Sequence, residues 1–497
     1  MIFKKNHSTH VYFVSEVAKL FRVPFTMFLW GVGKVGDAAL VNFLSMFLLY
    51  YYNQVLGLSA VLAGVALFIS TLIDAVSDPL VGYYSDVQQA LGNSRLRLMD
   101  MVILPIAFLI VVIFSIPQGM SDTFLFFMLT VAVSFLRLGQ TLFNIPREAV
   151  GVELYRGYED RNSLWGVNAI FGVVGSGIAL GPILLFLITD WRDEKGYFFA
   201  SLWVACVYIV SCKYSVKNLS RKYTAVSEEM DSFRSSRGLT RNPKYSLGVV
   251  FSQTKVLFSN ESWKIMFIVG LLFSVQLGLT SGTAIYVNTL FWGLSSSELF
   301  WGGVISVPGT LLGACIITLS NKENIDKKRM ILIAGCFAVA LGHLLIAAKY
   351  LEWLLDLEFL TFESQRQFGS LWFFWAVQQL VQNTIWVVFW VLFSSMFSDV
   401  IEDVKIDGSE KVEGFVLSAN NFFNKIVLSS GAIIGGALLT FLGFDVDLTQ
   451  VEEYDSGFVL ACIVALTSVI TTMVSIFLLK KYKIDRRSHN QNIQGTR

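Results

Sequence analysis

Charge is scarce in this chain: Asp, Glu, Lys and Arg make up 15% of its 497 residues, where an ordinary soluble protein carries about 25%. With 54% hydrophobic residues and a mean hydropathy of +0.60, that shortage excludes a water-soluble globule and a disordered chain. Neither sign of charge prevails, with 38 Lys and Arg against 37 Asp and Glu, and no basic tail stands out. A nucleic-acid binder is therefore excluded as well. Cysteine is sparse, and Cys206, Cys212, Cys315, Cys336 and Cys462 all sit in apolar runs, which argues for packing rather than a disulfide framework or metal cluster. His343 alone among the histidines falls in an apolar run, where an interior packing role is expected. No phosphate loop, zinc-ligand spacing or nucleophile elbow occurs. An ATP-driven pump and a membrane hydrolase lack their machinery, so neither an enzymatic activity nor a cofactor is expected.

Long apolar stretches are what the chain has in abundance. A helix needs roughly 20 apolar residues to cross the hydrocarbon of a bilayer. Twelve such stretches can be read, near 25–52, 58–84, 98–117, 123–146, 164–190, 197–213, 264–292, 296–319, 329–349, 369–397, 413–444 and 457–480. The fold class is thus an all-α polytopic membrane protein with twelve transmembrane helices. The segment through Arg22 has no short apolar core followed by a cleavage site, so no signal peptide is expected and the first span acts as the insertion signal. With the N-terminus inside, the odd-numbered connections hold only Arg192, Lys195, Lys349 and Arg366, and nearly all other Lys and Arg lie in tails and even-numbered connections. Both termini are therefore predicted to be cytoplasmic. A charged linker from Lys213 to Lys264 divides the chain into an N-terminal segment 1–24, a six-helix half 25–213, a cytoplasmic middle loop 214–263, a second half 264–480 and a tail 481–497. Six plus six spans about a charged middle loop is the organisation expected of the major facilitator class, whose binding site lies mid-membrane between the halves.

Few ionisable residues fall inside the spans: Lys34, Asp37, Asp74, Asp78, Arg137 and Lys425. Each costs about 2.5–3.5 kcal/mol on insertion scales and so needs a partner and a purpose. Asp74 and Asp78 are four residues apart on span two, which puts both carboxylates on one helix face. Two anions ~5–6 Å apart repel by roughly 3 kcal/mol at an effective dielectric near 20. Sodium, lithium or a proton would relieve that repulsion; a solvated helix end is the alternative. Span four carries Arg137, Gln140, Thr141 and Asn144 within one sector, a stripe that must face protein or water, as a cavity wall or as a helix–helix hydrogen-bond ladder. Lys425 follows Asn420, Asn421 and Asn424 in span eleven, where it either balances the aspartates while the cation is absent or snorkels to the surface. Span ten adds Gln378, Gln379, Gln382, Asn383, Trp386 and Trp390, a lining able to stack on a ring or satisfy hydroxyls. Glycines 172, 175, 177 and 181 in span five, and 309 and 313 in span eight, are read as sites of close helix packing.

Four stretches in order give the sequence a resemblance to the glycoside–pentoside–hexuronide:cation symporters, the melibiose-carrier group of the major facilitator superfamily. They are Phe47–Ser59, similar to that family's first-loop signature; Asp74-Ala75-Val76-Ser77-Asp78-Pro79, similar to its two-aspartate motif; Asn144–Leu154 with Tyr158 and Arg161, similar to the loop after span four; and Ser398–Glu402 with Glu413-Gly414, similar to the loop after span ten. The resemblance implies a cation site at Asp74, Asp78 and Thr141 with Ser77 where Asn is frequent, the first three being the ligands if the ion is Na+. It also implies a Lys425 beside both cation and solute, a Trp390 near the sugar, and Asn144 in place of a sugar-contacting Asp. The departures gather in the sugar site: Ala38 stands where the family has its span-one Asp, with Asp37 adjacent, Asn168 replaces an Arg, Lys34 replaces an Asp, Arg147 replaces a Tyr, and Arg137 is an addition.

The expected function is cation-coupled symport, with Na+ or H+ as coupling ion, of a glycoside or sugar-like, anionic solute by alternating access in the inner plasma membrane. The substrate-binding candidates are Asp37, Arg137, Gln140, Asn144, Trp390, Asn421 and Lys425. The expected partners are a small solute, a monovalent cation and the lipid bilayer, without nucleic acid, and the expected functional unit is a monomer. A lysophospholipid carrier, with a phosphate at Arg137 or Lys34 and an acyl tail among the 42 Phe, and a non-transporting sensor are the alternatives.

Overall fold

The computed structural model describes residues 24–90, 94–155, 158–188, 190–236, 260–322, 326–355, 369–403, 425, 430–431, 433–444 and 453–482. The main elements are α1 (Phe25–Tyr50), α2 (Ala60–Ala90), α3 (Arg95–Ile113), α4 (Asp122–Leu154), α5 (Tyr158–Pro182), α6 (Glu194–Ser236), α7 (Glu261–Tyr286), α8 (Ser296–Lys322), α9 (Lys327–Leu341), α10 (Leu344–Leu355), α11 (Ser370–Asp403) and α12 (Glu453–Lys480). No strand occurs among the described residues. Among the described residues, eleven stretches are long and apolar enough to cross a membrane, α9 and α10 together forming one of them, Lys327–Glu352. The segment 413–444, expected as a further span, lies largely outside the described residues, although 433–441 is helical.

Several helices overrun the apolar stretches that suggested them. The sixth continues to Ser236, inside the segment 214–263 read above as a loop, and the fourth reaches Leu154. Hydropathy marks where lipid ends, whereas a helix of Lys, Glu, Ala and Met continues into polar surroundings. For the same reason two stretches expected in loops, 147–154 and Ser398–Glu402, are helical here, in α4 and α11.

Two helices end alike. A single wide π turn closes α1 at Tyr51–Val55 and α7 at Val287–Phe291. In the first, Leu56 N donates to Tyr51 O at 3.0 Å and Leu58 N to Tyr52 O at 2.8 Å. In the second, Trp292 N donates to Val287 O at 3.0 Å and Leu294 N to Asn288 O at 2.9 Å. Each turn is followed by a glycine in the left-handed region, Gly57 at φ 82° and Gly293 at φ 62°, a conformation that a Cβ resists.

The chain parts into two compact units. The first comprises residues 1–48, 76–117 and 128–243, the second residues 49–75, 118–127 and 244–497. In the first unit α3 turns Met99, Ile103, Ile106 and Ile110 inward and leaves Met101, Leu104 and Phe108 exposed, the two-sided apolar pattern of a helix with protein on one face and lipid on the other. In the second unit Trp263, Phe267 and Phe273 of α7 form a core with Ile331 of α9, Phe389 and Phe393 of α11 and Leu479 of α12; the Phe273 and Phe389 rings stack at 4.1 Å.

The span-ten glutamines serve this core. The break between α9 and α10 frees backbone groups, and Gln378 Oε1 accepts from Leu345 N at 3.0 Å while Gln378 Nε2 donates to Gly342 O at 3.1 Å, with Gln382 donating to the same carbonyl. Asn383 donates to Ser306 O at 2.7 Å and Thr310 Oγ1 at 2.9 Å on α8. These side chains thus form an interhelical ladder that satisfies backbone groups left over at the break.

Close packing is confined to some of the glycines. A Cβ on Gly309 would lie 2.5 Å from Leu380 O, and one on Gly313 2.9 Å from Val387 Cβ, whereas one on Gly177 meets nothing within 4 Å. Gly309→Ala is therefore expected to destabilise by about 1–3 kcal/mol through overpacking, and Gly177→Ala to stabilise by roughly 0.5–1 kcal/mol through helix propensity. Thermal unfolding of the two variants in detergent micelles checks this, and equal shifts would refute the packing assignment.

Candidate functional site

In the first unit, polar side chains converge from four helices, α1, α2, α4 and α5. Lys34 and Asp37 are one turn apart on α1, and Lys34 Nζ lies 2.6 Å from Asp37 Oδ2. The other oxygen, Oδ1, accepts from Asn144 Nδ2 at 2.7 Å. Asp37 is 2% exposed, so both its oxygens are engaged in a place that water does not reach. One turn earlier on α4, Thr141 Oγ1 donates to Asp78 Oδ1 of α2 at 3.1 Å. Arg137 and Gln140, on the same helix, are half-buried.

One turn further along α4, Arg147 is fully buried. Its Nη2 donates to Asn168 Oδ1 of α5 at 2.9 Å, and its guanidinium lies 4.5 Å from the centre of the Trp30 ring. Trp30 Nε1 in turn donates to Arg147 O at 2.7 Å. Gly151 leaves room for that indole, since a Cβ there would lie 2.7 Å from the ring.

In the second unit, Lys425 Nζ lies 3.0 Å from Asp74 Oδ2. These residues are 351 positions apart in sequence, so the fold brings an amine from the predicted span eleven to a carboxylate of α2. Trp390 stacks on Trp386 at 5.8 Å and on Phe393 at 6.2 Å and is 45% exposed. Ser77, on α2, is buried. Asn421 lies outside the described residues.

The structure also shows a polar network that the sequence did not single out. Arg95, buried at the start of α3, donates from Nη1 to Ser85 Oγ at 2.6 Å, from Nη2 to Gln89 Oε1 at 2.7 Å and from Nη2 to Glu153 Oε1 at 3.3 Å. Tyr223 of α6 donates to Glu153 Oε2 at 2.6 Å. Burial first, and the Glu153 carboxylate second, push the Tyr223 phenol well above its ordinary range, so it remains a donor at any working pH. Four helices are tied together here, by residues that hydropathy assigns to the ends of spans.

Comparison with known proteins places this arrangement. Over 177 residues the chain is 31% identical to the uncharacterized symporter sll1374 of Synechocystis sp., covering 34% of this chain and 32% of that protein. Over 281 residues it is 23% identical to YagG of Escherichia coli, named as a candidate glycoside/cation symporter, covering 55% of this chain and 57% of that one. The matched parts thus span between a third and rather more than half of these relatives. Among solved structures, the inward-open xylose transporter XylE from E. coli shares the fold, with a TM-score of 0.56 and 12% identity over 94% of this chain and 97% of that one. The sequence pattern of one transporter family runs through residues 29–486, nearly the whole length, and the chain therefore belongs to the MFS/sugar transport protein family.

Proposed function

We propose that the protein is a symporter that couples uptake of a sugar-like solute to Na+ or H+ by alternating access of two six-helix halves, 25–213 and 264–480, joined by the segment 214–263. It sits in the inner plasma membrane with both termini cytoplasmic and works as a monomer. The observation that carries the reading is the Lys425 amine at 3.0 Å from Asp74. A lysine on a membrane-embedded carboxylate stands where a mobile cation would stand and balances the charge until one arrives. The coupling ion then binds at Asp74 and Asp78, one helical turn apart on α2, with Thr141 and Ser77 as oxygen donors. Binding of the ion frees the lysine and favours binding of solute. Such coupling is reciprocal and worth about 1–3 kcal/mol, so neither ligand need bind tightly alone.

The test is uptake of a panel of glycosides by membrane vesicles under an imposed Na+ gradient, then under an imposed pH gradient. One of the two gradients is expected to drive accumulation. Uptake indifferent to both would overturn the coupling.

A further inference from the structure

The first unit carries a groove between α3 and α6, with a volume of about 420 Å³. Ala107 and Ala205 are buried at its floor, and Leu104, Phe108, Leu202 and Val210 are exposed along its walls. It exists because the two alanines stop at Cβ between longer neighbours. No residue lining it is charged. On a membrane-spanning pair of helices such a cleft opens sideways to hydrocarbon, and water gains nothing by entering it.

One ion pair fixes the register of the two helices. Lys213 Nζ of α6 lies 2.7 Å from Asp100 Oδ1 of α3. Since the groove joins later residues of α3 to earlier residues of α6, the helices run antiparallel. One turn on from the pair, Leu104 comes level with Ile209, and a second turn brings Phe108 level with Ala205, which is where the groove lies. In the opposite direction the same register brings Arg97 and Lys217 level, and both are exposed. Asp100 offsets the charge of Lys213, and the buried Arg95 is turned to Glu153 at 3.3 Å. Two outward-facing cations are thus left at the rim. They stand beside the start of α3, whose N-cap is Ser94, so the positive end of the helix dipole adds to them.

Distance links rim and groove. From Arg97 to Phe108 is eleven residues of α3, or roughly 16 Å at 1.5 Å per residue, about half of a ~30 Å hydrocarbon core. The cations therefore stand at headgroup level when the groove lies at the depth of an acyl chain of the same leaflet.

We propose that the groove and its rim bind one anionic glycerophospholipid, with an acyl chain between α3 and α6 and the phosphate on Arg97 and Lys217. Under the orientation given above, this is a lipid of the cytoplasmic leaflet. A zwitterionic lipid fills the groove equally well but brings no net charge to the rim. A soluble phosphate ester meets the cations and leaves the groove unused. The site shares no residue with the coupling-ion site, so symport and lipid binding stand or fall separately.

The experiment is native mass spectrometry of the full chain in detergent micelles, titrated with dioleoyl phosphatidylglycerol or dioleoyl phosphatidylcholine, which share their chains and differ in net charge. The first phosphatidylglycerol is expected to bind about 30-fold more tightly than the first phosphatidylcholine, roughly fivefold for each of the two cations. Arg97→Gln combined with Lys217→Gln is expected to bring the two lipids to equal affinity. Ala205→Phe, which fills the floor of the groove, is expected to abolish the tight first phosphatidylglycerol, and sn-glycerol 3-phosphate is expected not to displace it. If Ala205→Phe fails to fold, the double substitution, made at exposed positions, decides the matter with the native protein. Equal affinities in the native protein, or a preference that survives the double substitution, would overturn the site. Tight binding that survives in a folded Ala205→Phe, or displacement by glycerol phosphate, would overturn the placing of the chain in the groove.

Discussion

Asp78→Asn is expected to abolish cation-driven accumulation while solute still equilibrates across the membrane. The substitution keeps an oxygen at the place where Thr141 Oγ1 donates at 3.1 Å, so the local hydrogen bond survives and only the charge is lost. A unit charge about 4 Å away contributes roughly 4 kcal/mol at an effective dielectric near 20, equivalent to about three orders of magnitude in ion affinity. Asp74→Asn is expected to have the same effect on accumulation, and it also weakens the hold on Lys425, whose amine lies 3.0 Å from that carboxylate. Thr141→Val, which deletes a neutral ligand, should reduce ion affinity far less. The measurements are accumulation under a gradient and solute counterflow without one. Full accumulation in both Asp variants would show that coupling resides elsewhere.

Arg95→Leu is expected to destabilise the fold by about 3–5 kcal/mol, the range for removing one partner from a buried ion pair. Arg95 is 3% exposed and supports Ser85, Gln89 and Glu153 at once; its loss leaves the Glu153 charge without its guanidinium. The Lys213–Asp100 pair, at 2.7 Å, is the contrast. Both its side chains are more than a third exposed, and Lys213→Ala should change stability by no more than about 1 kcal/mol. Thermal unfolding of the two variants in the same detergent separates the cases, and a Lys213 effect as large as that of Arg95 would contradict the ranking.

The spans were legible because burial in lipid demands runs of apolar residues, and eleven of the twelve predicted stretches coincide with helical spans among the described residues. Their ends were not, because helix propensity extends α4, α6 and α11 past the point where apolar character stops. At the site, the sequence pointed to Asp37, Asn144, Asp78, Thr141, Asp74 and Lys425 through the rarity of polar groups in spans. It could not tell which would meet: the 2.7 Å bond from Asn144 to Asp37 depends on how α1 crosses α4. Arg147 was visible only as an unusual residue in a stretch read as a loop, and helical continuation of α4 is what carries it into the interior. Gln378 and Gln382 of span ten, read as part of a lining able to satisfy a solute's hydroxyls, instead bond to the backbone at the break after α9.

The joints at the ends of α1 and α7 put the two helices in one register. Both helices have 26 residues, both run into a five-residue π turn, and both are released by a left-handed glycine; superposing Gly57 on Gly293 brings Phe25 onto Glu261 and Tyr50 onto Tyr286. In that register Lys34 falls on Gly270 and Asp37 on Phe273, so the ionic pair of α1 has as its counterpart in α7 a position whose ring stacks on Phe389.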